Sequence, residues 1–128
     1  MRPGSPLCLL GVVGTAHSRS APGYVEVPVQ QTVGKMGFPN ATGRVTWLRG
    51  DGLRLEQATV RDVEALYPDG GCSVELWLQY PLAEPLTTLG GLHPDAHVVE
   101  MEVLSPLVEI PQGGCTSLEV HWRLDRPR

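Results

Sequence analysis

Positive charge is scarce in this sequence: Lys and Arg together number 10 against 14 Asp and Glu, giving a formal charge of −4. The basic residues form no cluster, so nothing favours nucleic acid or an anionic membrane surface as a partner. Long apolar runs are missing as well. No stretch approaches the about 18 residues that a membrane-spanning helix needs, so no membrane span is expected. Cysteine is sparse, and Cys8, Cys72 and Cys115 include no Cys-x-x-Cys spacing that would support a zinc site or a redox pair. Three unpaired thiols suit a reducing compartment, which favours the cytoplasm over secretion. Cys72 and Cys115 each follow a Gly-Gly pair, and one bridge between them stays open. There is no Ser-His-Asp order, no phosphate-binding glycine loop, no Cys-His arrangement and no internal repeat. Neither a metal nor a cofactor is expected.

Glycine and proline, by contrast, are abundant, at 15 and 12 in 128 residues. That balance favours a turn-rich all-β chain over a helical one. The length suits one domain, able to bury roughly two thirds of its unfolded surface. Met1 to Gly23 stands apart from the rest. Arg2 precedes the short apolar run from Leu7 to Gly14 and the small residues that follow, a loose signal-peptide pattern. A stray strand or a disordered leader is the other reading, leaving 24–128 as the folded β domain.

Tyr24 to Gln31 reads as a strand that Pro28 confines to an edge or ends early. Gly34 to Gly43 is dense in turn residues and reads as a turn; Asn40-Ala41-Thr42 matches a glycosylation pattern that the turn explains more simply. Arg44 to Arg49 and Leu53 to Ala58 flank Gly50-Asp51-Gly52 as a hairpin. Thr59 to Leu66 reads as a loop with a helical turn, and Pro81 to Ala96 as a long loop. Thr116 to Leu124 alternates cleanly, with Leu118, Val120, Trp122 and Leu124 as its inward residues.

Two strands carry the chemistry. In Ser73 to Tyr80, Ser73, Glu75, Trp77 and Gln79 share one face, opposite Val74, Leu76, Leu78 and Tyr80. In His97 to Leu104, Glu100 and Glu102 share a face with Val98 and Leu104, opposite Val99, Met101 and Val103. Such a sheet has an apolar side for a core and a polar side for a ligand or for water. A ring beside a carboxylate, as at Trp77 and Glu75, is a common way to hold a sugar, although Trp77 also suits a second core layer. Glu100 and Glu102 are close enough to shift each other's titration. Lys35 could reach a ligand oxygen, or lie solvated in its loop. His93 and His97 flank Pro94 and Asp95, where no helix aligns them as metal ligands. His121 falls on the outward face of the last strand.

The order of motifs adds a resemblance. It runs Lys35-Met36-Gly37-Phe38-Pro39-Asn40, Tyr67-Pro68-Asp69-Gly70-Gly71-Cys72-Ser73-Val74-Glu75 and Val99-Glu100-Met101-Glu102-Val103-Leu104-Ser105-Pro106-Leu107. It closes with Ile110-Pro111-Gln112-Gly113-Gly114 and His121-Trp122. Over roughly residues 33 to 124 this resembles the C-terminal half of the galactose-mutarotase-like β-sandwich, and especially an uncharacterised bacterial branch of that superfamily. The resemblance implies an all-β antiparallel β-sandwich with a concave carbohydrate-binding face. It places the proton-accepting glutamate of an aldose-epimerase-like isomerase on Glu102; Lys35, Glu75, Trp77 and Glu100 are candidate substrate-binding residues on their own chemistry. Two departures stand against activity: Ser105 occupies the place of a glycine, and the family's histidines belong to a half this chain does not hold. The rival expectation is a non-catalytic structural or interaction domain whose acidic face is simply solvated. Missing strands would leave open sheet edges, from which self-association follows.

Overall fold

The computed structural model describes residues 5–127. They form antiparallel sheets with almost no helix, the all-β architecture expected from the turn-rich composition. The main sheet has the order β1 (Leu7–Val13), β4 (Val33–Pro39), β7 (Cys72–Gln79) and β8 (Val98–Val103). A small ribbon pairs β2 (Arg19–Ala21) with β3 (Tyr24–Glu26). The second sheet has the order β5 (Arg44–Leu48), β6 (Arg54–Ala58) and β9 (His121–Asp125). No helix among the described residues is long and apolar enough to cross a membrane.

One face of the main sheet is the core. Met36, Phe38, Val74, Leu76 and Leu78 are buried, and Val99, Met101 and Val103 extend the layer along β8. Ala16, Val25, Val27, Ala41 and Val45 pack onto it from the ribbon, the connecting turns and the second sheet, giving sandwich-like layering. Along β7 and β8 the layer follows from the period-two alternation of the strands.

Three expectations need correction. Residues 34–39 do not turn: they lie in β4, an inner strand of the main sheet. Gly34 and Gly37 serve close approach instead. A Cβ at Gly37 would stand 2.5 Å from Cys72 Sγ and 2.8 Å from Leu9 Cδ1, and one at Gly34 would collide with the Leu10 carbonyl oxygen. The turn itself is confined to the residues around Asn40, which has φ 67°. Lys35 therefore sits in a strand rather than a loop. The segment read as a leader, a stray strand or a disordered stretch contributes the strand β1, which is not stray but pairs with β4 in the main sheet, so the sheets begin ahead of residue 24. The strand after Tyr24 does end early, stopping at Glu26 ahead of Pro28, and Gln30 is buried with its amide bonded to the His17 and Pro28 carbonyl oxygens. The last strand spans only His121–Asp125, and three of the residues expected to face inward lack a core: Leu118 is 39%, Trp122 62% and Leu124 57% exposed.

All three thiols are free, so the bridge between Cys72 and Cys115 is not formed. Cys72 is fully enclosed and its thiol donates to the Asp69 carbonyl oxygen at 3.1 Å, while Cys8 and Cys115 are exposed. Burial, and then the Glu75 and Asp69 carboxylates, push the Cys72 thiol up and suppress its thiolate. A thiol titration of the native protein is expected to find two fast groups and a third that reacts only on unfolding. Three equally fast thiols would contradict this packing.

Candidate functional site

The face opposite the core is polar, and the sheet register sets its layout. Lys35, Trp77 and Glu100 lie in one cross-strand row; Gly37, Glu75 and Glu102 lie in the next. All five residues singled out in the sequence thus share one face of three neighbouring strands. Even-numbered β8 residues face the same way as odd-numbered β7 residues because Glu75 stands directly opposite Glu102.

Lys35, the chain's single lysine, connects the rows. Its Nζ lies 2.6 Å from Glu75 Oε2 and 3.0 Å from Glu102 Oε2. Both acids, Glu75 first, hold the Lys35 ammonium above its usual value. The burial of the partners is unequal. Glu75 is 1% exposed, whereas the Lys35 and Glu102 side chains keep 30% and 32%. Glu75 is therefore an inner anchor, and Lys35 and Glu102 present the surface that a ligand would touch.

Glu75 owes its burial to the turn before β7 and to Gly37. Pro68–Gly71 makes one irregular turn with Asp69 at φ 51° and Gly70 at φ 79°. This brings Asp69 and Cys72 to the end of the polar face. Because Gly37 has no side chain, Cys72 and Leu9 close over the space beside Glu75. Glu75 Oε1 is left enclosed without a hydrogen-bond donor among the described residues. The Asp69 carboxylate within its reach is another acceptor, so the two gain a hydrogen bond only when one of them holds a proton. Burial is the largest cause raising the Glu75 carboxyl above its ordinary value; Lys35 opposes it, and Asp69 reinforces it.

Trp77 is half-buried on this face rather than sunk into a second core layer. Its indole Nε1 donates to Gln79 Oε1 at 3.0 Å, which fixes the ring two residues along the same strand. Glu100 is exposed at the end of that row. Three histidines lie elsewhere. His93 Nε2 is 2.9 Å from the Leu82 carbonyl oxygen, His97 stacks near Tyr80 with ring centres 6.3 Å apart, and His121 pairs with Glu119 at 2.7 Å. No group of metal ligands occurs among the described residues.

Sequence reasoning missed Asp69, Cys72 and Gly37 as parts of this site. Asp69-Gly70-Gly71-Cys72 looks like turn chemistry alone, and its only further signal is its position immediately before the acidic strand. Compared with family models, curated proteins and solved structures, the chain has no match in any of the three.

Proposed function

We propose that the polar face of the main sheet is a carbohydrate-binding surface, of the kind that the resemblance to galactose-mutarotase-like sandwiches implies. One observation carries this reading. An indole ring, an ammonium and two solvent-reaching carboxylates share one face of three adjacent strands, within two cross-strand rows. Sugars need both halves of that set: an aromatic face for their C–H surface, and charged groups for their hydroxyls. Trp77 supplies the first; Glu102, Glu100 and Lys35 supply the second. Glu75 stays behind them and holds the Lys35 ammonium in place. More carboxylates than ammonium groups surround the site, so it favours neutral aldoses over sugar acids.

Within this reading Glu102 accepts a hydrogen bond from the anomeric hydroxyl, and in an epimerase-like reaction it takes that proton as the base. The positions of His93, His97 and His121 favour recognition over ring opening, since none of the three lies on this face to protonate a ring oxygen. A non-catalytic structural domain is the second reading. It is favoured by the way Glu75 and Glu102 both engage Lys35, an arrangement that stabilises the face with no ligand at all.

Saturation-transfer NMR against simple neutral aldoses separates the two. The parent protein is expected to transfer signal to at least one aldose, and Glu102→Gln to bind it about tenfold more weakly, as loss of one charged hydrogen bond would give. Transfer to no sugar would remove the carbohydrate reading. Binding unchanged by Glu102→Gln would move the site off this face.

A further inference from the structure

The second sheet ends in β9, whose outer edge is unpaired among the described residues. A free edge offers a row of backbone donors and acceptors to another chain. His121–Asp125 contains no proline or lysine, and its pairing with β6 is regular, without a bulge. Proline, lysine and a bulge, three of the usual guards against edge pairing, are therefore missing from this strand. Its two large apolar side chains, Trp122 and Leu124, are both mostly exposed. They share the face of Trp47 and Leu55, which line a cleft of about 430 Å³ together with Val99 and Met101 of β8. On the opposite face Arg123 and Asp125 pair with each other at 2.9 Å.

This order of residues is self-complementary. Two copies of β9 that pair antiparallel about a two-fold axis perpendicular to the sheet must match residues on the same face. Centring on Leu124 sets Arg123 against Asp125 of the second copy on both sides of the axis, so four charges alternate in sign. Leu124 then meets its own copy across the axis, and Trp122 stands opposite Arg126, a ring against a guanidinium. The adjacent registers are worse. Centring on Arg123 sets two arginines together, centring on Asp125 sets two aspartates together, and centring on Trp122, one step further, sets His121 against Arg123.

We propose that β9 is a homodimerisation edge, where a second copy of this chain adds its own three-stranded sheet antiparallel, in the register centred on Leu124. A strand this short buries well below the about 1,200 Å² of a stable complex, so the dimer is weak and depends on concentration.

Sedimentation of the full chain from about 10 μM to about 1 mM tests it across the range where weak dimers form. The average mass is expected to rise from 13.9 kDa toward twice that value. Arg123→Asp sets an aspartate against Asp125 of the second copy, and Asp125→Arg sets two arginines together. Each is expected to raise the dimer dissociation constant about tenfold or more. The double variant exchanges the two charges and is expected to restore the parent value. Circular dichroism of each variant checks the fold, and Leu124→Lys gives a second disruption should either inversion fail to fold. A parent that stays at 13.9 kDa throughout, single inversions that leave association unchanged, or a folded double variant that fails to recover it would each overturn the proposal.

Discussion

Lys35→Met is expected to lose about 3 kcal/mol of folding stability near neutral pH, as breaking a buried ion pair from one side does. Methionine keeps an unbranched stem but removes the ammonium from two carboxylates at 2.6 and 3.0 Å. Glu102 is partly exposed and turns to water. Glu75 is enclosed, so it must either stay charged without a partner or take up a proton. Protonation is the less costly course, and it sets the sign of the pH dependence. Burial foremost, with Asp69 assisting, already holds the parent Glu75 carboxyl above the ordinary 4.5 against the opposing pull of Lys35. The native state thus keeps a proton that the unfolded chain has released. Stability falls as pH rises from the ordinary carboxylate value, then levels off above the native value of Glu75.

Removing Lys35 raises that native value further and widens the window upward. The loss caused by Lys35→Met is therefore expected to be small in mild acid and to grow toward alkaline pH. Lys35 itself does not confuse the comparison. Its native value is raised, by Glu75 before Glu102, so its contribution is complete below 10.5 and is lost only as pH climbs through the native value above that. Denaturant unfolding of both proteins at about pH 5 and about pH 8 measures the effect. Equal losses at the two values would contradict the assignment of the pH dependence to Glu75.

Gly34→Ala is expected to destabilise the protein by about 3 kcal/mol, at the upper end of what overpacking costs. Backbone entropy argues the other way, because alanine restricts the unfolded chain more than glycine does. Sterics win at this position. The new Cβ would collide with the Leu10 carbonyl oxygen and stand 3.5 Å from Gly11 Cα. Both atoms are backbone of β1, so no side chain can rotate away and the whole strand must move off β4. Gly50→Ala in the hairpin is the control, since nothing lies within 4 Å of its Cβ, and its effect is expected within about 0.5 kcal/mol. Chemical denaturation of the two variants decides the matter: a neutral or stabilising Gly34→Ala would contradict the close approach of β1.

The strands that carry acids were legible because alternation is a local property. The faces of β7 and β8 follow from parity alone, and the hairpin of β5 and β6 follows from Gly50-Asp51-Gly52 between two alternating runs. What escaped depends on partners distant in sequence. Gly34 and Gly37 look like turn residues until β1 and Cys72 press against them, so β4 could not be found from its own residues. β9 shows the converse. Its alternation is clean, yet alternation says which residues share a face and not whether anything covers them; Trp122 and Leu124 meet mostly solvent. In the candidate site, Glu75, Trp77, Glu100 and Glu102 could be placed on one face from the sequence. The bridge from Lys35 to two acids could not, because it needs the register of three strands at once.

The indole signals of Trp47, Trp77 and Trp122 give the most direct test of the polar face as a sugar site. In a ¹H–¹⁵N titration with a neutral aldose, the Trp77 indole and the backbone amides of Glu100 and Glu102 are expected to shift together. Trp47, beside the cleft between the sheets, and Trp122, on β9, are expected to stay in place. A Trp77 signal unmoved by any aldose, or shifts confined to Trp47 and Trp122, would contradict the account.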